Sequence, residues 1–196
     1  MRNLALPAIL AAAFAVAGCF NEPEPAYKTV PAENRIWKND QSLKEVPAGL
    51  NVNADYLNLD RNQITNAANV AALTKLKWLR LNSNQLNALP DLKALTLLRR
   101  IYLKNNRFAT VPETLKDLPA LTDIDLSANP ITEIPEWLAK KQGLENLSFS
   151  RTMIKKLPSD ISAWKSLKIL QLGDLGLSRE EMKRIREALP KTAVVY

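Results

Sequence analysis

Asp123 and Asp125 flank a single apolar residue, and on an extended strand two such carboxylates share one face about 6.5–7 Å apart, a separation compatible with two-carboxylate glycoside chemistry. That chemistry also needs a cleft that raises one carboxyl's pKa and excludes water, and an open sheet offers none, so both are expected to be solvated surface charges. The rest of the catalytic inventory is thin. The 196 residues contain no histidine, one cysteine and five glycines. This rules out Ser-His-Asp and Cys-His catalysis, an imidazole metal site, a thiolate zinc cluster and an internal disulfide, and it argues against a glycine-rich phosphate loop. No motif supports a Ser-Lys dyad. The chain is expected to bind, without catalysing anything and without a metal or cofactor.

The lone cysteine closes an N-terminal segment with one charge at Arg2, an apolar run from Leu4 to Ala17, and small residues ahead of Cys19. That layout predicts a cleaved export signal over 1–18. Val16-Ala17-Gly18-Cys19 resembles the lipobox of bacterial lipoproteins. The resemblance implies that Cys19 becomes the first mature residue and carries acyl chains such as palmitate, its only covalent group. It also implies a bacterial cell-envelope protein held to the membrane by lipid alone. Phe20, standing where aspartate retains many lipoproteins at the inner membrane, points to the outer membrane of a two-membrane cell, at its periplasmic or surface face. Loss of Arg2 with the signal lowers the formal charge from +7 to +6. Residues 19–34 then read as the lipidated cysteine and a proline-spaced tether, reaching ~3.1 Å per residue.

Everything after the tether repeats. Ala54-x-x-Leu57-x-Leu59-x-x-Asn62-x-Ile64 recurs from Leu76, Leu98, Leu121, Leu144 and Leu167, with marker positions 62, 84, 106, 129, 152 and 175 spaced by 22, 22, 23, 23 and 23 residues. Between the signatures, Val46-Pro47, Leu89-Pro90, Val111-Pro112, Ile134-Pro135 and Leu157-Pro158 share one register, which Ala67-Ala68 interrupts. The pattern resembles the leucine-rich-repeat family, in the subclass that carries an LP pair. It implies an α/β fold, a right-handed solenoid with a curved parallel sheet on its concave side and short helices or irregular segments on its convex side.

The physics of the pattern stands beside the resemblance. Alternating Leu-x-Leu puts two side chains on one face of a short strand, and one coil cannot bury its own leucines, so neighbouring coils must stack and share a core. A tight turn leaves backbone N–H and C=O groups facing inward, where an amide can serve both. Asn62, Asn84, Asn106 and Asn129 are therefore expected to form a buried ladder that Thr152 and Leu175 break. Six repeats are expected over 54–177. A degenerate half repeat over 35–53 should cap the N-terminal end. Residues 178–196 should cap the other, with Ser178-Arg-Glu-Glu181 opening a helix before a last strand at Thr192–Tyr196.

In the resembling family, function usually lies on the concave sheet. The corresponding positions read Tyr56, Asn58, Asp60 and Arg61, then Trp78, Arg80, Asn82 and Ser83, then Arg100, Tyr102, Lys104 and Asn105, followed by Asp123, Asp125 and Ser127. The expected contact set is Tyr56, Asn58, Trp78, Arg80, Arg100, Tyr102, Lys104, Asp123 and Asp125. Exposed Trp, Tyr and Arg together are the residue types enriched in binding hot spots. A protein partner and a monomeric state are expected. The alternatives are an anionic envelope glycan, peptidoglycan or lipopolysaccharide, or a host-directed adhesin or effector. Nucleic acid is not expected for an exported, tethered chain.

Overall fold

The structure is a computed structural model that describes residues 30–196. The predicted signal, Cys19 and the tether up to residue 29 lie outside the described residues. Eight three-residue strands follow chain order in one all-parallel sheet: β1 Arg35–Trp37, β2 Tyr56–Asn58, β3 Trp78–Arg80, β4 Arg100–Tyr102, β5 Asp123–Asp125, β6 Asn146–Ser148, β7 Ile169–Gln171 and β8 Ala193–Val195. The middle residues pair in register from Ile36 through Leu57, Leu79, Ile101, Ile124, Leu147 and Leu170 to Val194. The six inner ones are wholly buried. This is the expected solenoid: every coil lends one strand, and its leucines are covered only by the coils on either side.

The strands stop for a local reason. Arg61, Ser83, Asn105, Ala128, Arg151 and Asp174 occupy the eighth position of their repeats, and each adopts a left-handed backbone, with φ between 53° and 62°. The turn keeps the inter-coil ladder going, since in each of the first five the N–H still reaches the next coil, as Ala128 does to the Ser150 carbonyl at 2.8 Å. Behind the sheet the chain returns through short 3-10 turns at Ala68–Ala72, Glu113–Leu115 and Ser162–Ser166 and one four-residue helix, Glu136–Ala139. Pro112 and Pro135 stand directly ahead of two of these, with the fixed φ that starts a helical turn. Val70, Leu115, Leu138 and Trp164, one from each of these elements, are buried and pack behind the strands. The Trp164 indole donates to the Leu138 carbonyl at 2.8 Å, so its burial strands no polar group.

The N-terminal end is more than half a repeat. β1 is a full member of the sheet, and the coil it opens runs on to Val46, whose N–H bonds to the Asn66 carbonyl. At the other end the helix Arg179–Ala188 lies over the last coil and β8 pairs with β7. Ser178 Oγ accepts from the Glu181 N–H at 3.1 Å, as the capping sequence predicts. The Glu181 carboxylate does not reach back to Ser178, however. It accepts from the Leu157 N–H at 2.9 Å and from Arg184 at 2.8 Å, tying the cap to the fifth coil.

Candidate functional site

Alternation along each strand sends its first and third residues to the concave face, opposite the core. Register then sets the neighbours there. Trp78 pairs with Arg100 and Arg80 with Tyr102, a crossed square of two aromatics and two guanidiniums. The Arg100 guanidinium sits 4.7 Å from the Trp78 ring centre, and that of Arg80 sits 5.4 Å from the Tyr102 ring. Both cations also have carboxylate partners: Arg80 is 2.8 Å from Asp60, and Arg100 is 3.8 Å from Asp123. Tyr56 meets Trp78 edge-on at 5.8 Å and Trp37 at 5.0 Å, with Val30 closing this aromatic cluster. Arg35, Trp37, Tyr56, Arg80, Tyr102 and Lys104 each engage a further polar or ring partner.

The expected exposure of this patch is corrected. Tyr56, Trp78 and Tyr102 are only 1%, 8% and 3% exposed, and Asn58 and Asp123 are buried as well. The aromatics are covered by their neighbours along the sheet, because parallel strands ~4.8 Å apart bring large side chains into contact. What reaches the surface is the half-buried guanidinium edges of Arg80 and Arg100, with Lys104 beside them. Trp78 and Tyr102 stand diagonally on adjacent strands, each with an arginine over its ring.

Asp123 and Asp125 are not solvated charges. Asp125 is 0% exposed, its Oδ1 accepts from the Ser127 N–H at 2.9 Å, and its Oδ2 has no hydrogen-bond partner. Burial pushes its carboxyl above the ordinary carboxylate value, while the Ser127 bonds and the fields of Lys104 and Arg80 oppose this. Asp123 accepts from Asn146 and Thr122. Neither carboxylate opens onto a water-filled cleft.

Several polar residues on this face serve the backbone. At the seventh repeat position, Asp60 Oδ1 accepts from the Asn82 N–H at 2.8 Å, Asn82 Oδ1 from the Lys104 N–H at 2.9 Å, and Ser150 Oγ from the Gly173 N–H at 3.1 Å. Asn58 Oδ1 accepts from the Asp60 N–H within its own coil at 2.9 Å. At the inner corner, Asn62, Asn84, Asn106 and Asn129 are all buried. Each donates to the carbonyl three residues earlier and to one in the preceding coil, while its oxygen accepts an N–H from that coil. For Asn106 these are Leu103, Leu81 and Leu86, at 2.9, 2.9 and 3.0 Å. Thr152 reaches only Phe149 of its own coil, at 2.8 Å.

Sequence reasoning missed Arg35 and Trp37, which β1 places on the concave face, Trp37 being 46% exposed. The signal was weak because this end coil has Lys38 and Gln41 where the first four full repeats carry leucine and asparagine. At the far end Val195 is exposed and Ile169 half-buried on the same face. Among the described residues no group of three or more His, Cys, Asp or Glu is placed to hold a metal ion.

Residues 74–131 match the leucine rich repeat family model. A leucine-rich-repeat protein of Leptospira interrogans is 30% identical, with a TM-score of 0.67, over 74% of this chain and 38% of that one. An internalin from Listeria monocytogenes is 21% identical, with a TM-score of 0.57, over 74% of this chain and 48% of that one, a likeness of fold alone. This chain therefore spans less than half the length of either structure. No curated protein matches it. Sheet topology, repeat register and these likenesses agree on one architecture, and the fold is a leucine-rich-repeat solenoid.

Proposed function

We propose that this chain is a non-catalytic binding module, lipid-anchored in a bacterial cell envelope, whose concave face takes a protein partner. One observation carries the binding claim: Arg80 and Arg100 are held by ring and carboxylate at once, so their outer edges are ordered before any partner arrives. Ordered side chains give up less entropy on association, and arginine beside aromatic rings is a common anchor of interfaces. The anionic-glycan alternative calls for unpaired cations. Arg61, Arg80, Arg100 and Arg151 instead pair with Asp40, Asp60, Asp123 and Asp174.

Crosslinking in the native cell tests the reading, comparing wild type with Arg80→Lys/Arg100→Lys, which keeps charge but loses the planar, two-sided contact. Loss of one prominent protein adduct, with an unchanged melting temperature, is expected. An identical adduct list from both proteins would remove the patch. The anchor rests on Val16-Ala17-Gly18-Cys19, and no helix among the described residues is long and apolar enough to cross a membrane. Wild type should take up labelled fatty acid and Cys19→Ala should not; equal labelling of the two would refute the anchor.

A further inference from the structure

The second residue of each repeat, just ahead of its strand, stands on the rim where the sheet begins. In chain order these are Asp55, Lys77, Arg99, Thr122, Glu145 and Lys168. Neighbouring coils pair two of the three cations along this rim, Lys77 with Asp55 at 3.1 Å and Lys168 with Glu145 at 2.7 Å. Both oxygens of Asp55 are engaged, because the second accepts from Asn34 at 3.3 Å. On its other side Arg99 meets Thr122, whose hydroxyl donates to the Arg99 carbonyl and brings no charge. Arg99 is left as the cation of this rim that no carboxylate among the described residues neutralises.

Its side chain borders a cleft of about 490 Å³, a size suited to a small ligand. Val30, Pro31, Trp78, Leu97 and Ala120 supply the apolar lining, and Asp55, Lys77 and Arg99 the polar groups. Leu97 is 43% exposed and is no part of the repeated core, since the same place in the other coils holds Asn53, Lys75, Ala120, Gly143 and Ser166. An arginine that no acid offsets and a leucine that the core does not use thus stand two residues apart on one cleft. With Lys77 offset by Asp55, one positive charge remains, which suits a monoanion better than a doubly charged phosphate. A planar guanidinium matches a carboxylate with two parallel hydrogen bonds, and the apolar lining calls for an aliphatic body beside it.

We propose that this cleft binds a monocarboxylate with a small aliphatic body, either a free acid or the carboxyl terminus of a peptide, with the carboxylate on Arg99 and the body against Leu97 and Trp78. The site borders the arginine face through Trp78, whose ring carries Arg100, but it does not rest on the protein partner proposed above.

The test titrates the isotope-labelled full chain with isocaproate as the free acid and with acetyl-Gly-Gly-Leu as the peptide terminus, the carboxamide of each being the uncharged control. Saturable shifts confined to the amides of Leu97, Arg99 and Ala120 and the Trp78 indole are expected from at least one acid and from neither carboxamide. The acid that binds more tightly identifies the source. Arg99→Gln should weaken binding roughly tenfold, the loss of one charge-assisted contact. Leu97→Asn should weaken it as well. Both side chains are exposed, so the rest of the spectrum should match wild type. No saturation by either acid, equal binding of a carboxamide, or binding unchanged by Arg99→Gln would each overturn the site.

Discussion

At the repeat's inner corner, one amide satisfies backbone groups that the inter-coil ladder leaves facing the core. Asn106 satisfies the Leu86 N–H and the carbonyls of Leu81 and Leu103, all buried between two coils. Asn106→Ala strands these groups without offering water in return, and should cost ~1–3 kcal/mol. A denaturant midpoint unchanged from wild type would show that the ladder is dispensable. Asp125 is the opposite case, a buried acid with one oxygen left unpaired. Because burial raises its folded pKa above the ordinary 3.8, the folded state binds this proton more tightly than the unfolded chain does. Its contribution is therefore fully present below 3.8 and is lost as pH rises from there to the raised folded value. Asp125→Asn keeps an acceptor for the Ser127 N–H and cannot ionise. Its stability relative to wild type should grow as pH rises through that window, and parallel pH profiles for the two proteins would contradict this.

Among the elements, the C-terminal cap depends most on one side chain. Glu181 caps the stranded Leu157 N–H, and Arg184, which it holds, donates in turn to the carbonyls of Leu157, Pro158 and Ser159. Arg184 beside it keeps the Glu181 carboxyl below its ordinary value, so the stability it contributes is present above 4.5 and is lost as pH falls below that. Glu181→Ala should cost ~1–3 kcal/mol near neutral pH, mainly by leaving the Leu157 N–H unsatisfied. Thermal melts that show no loss would assign the cap's hold to apolar contact alone. Ser178 and Glu181 have the spacing of a reciprocal capping box, and half of it forms. The other half fails because a buried N–H in a neighbouring coil competes for the same carboxylate, and residue spacing within the helix carries no sign of that competitor.

Taken whole, the molecule has one continuous apolar core and two ends, and the ends decide whether it stays soluble. The helix Arg179–Ala188 buries Ile185, with Leu189 just beyond it, against the last coil, where Leu170, Leu172 and Leu175 would otherwise face water. A chain stopped after Leu177 should bind a hydrophobic dye and lose its sharp unfolding transition; a cooperative, dye-free product would show that the sixth coil caps itself. The N-terminal end was harder to read than its mirror. With a neighbour on one side only among the described residues, β1 can place Lys38 and Gln41 at positions that the first four full repeats give to leucine and asparagine, which removes the markers that make a repeat visible.

The sequence alone determined the period, the inward leucines, the asparagine ladder and the class of fold, because the apolar pattern is a local requirement repeated six times at 22 or 23 residues and the asparagine recurs in four of those repeats. It also placed Tyr56, Trp78, Arg80, Arg100, Tyr102, Lys104, Asp123 and Asp125 on one face by strand alternation. Only the tertiary structure decided what that face presents. Stacking neighbouring coils set arginine over ring and carboxylate beside arginine, which buried the aromatics and both aspartates and left guanidinium edges as the accessible surface. Exposure depends on the neighbours across the strands, some twenty residues away in the chain, and a repeat read by itself contains none of them.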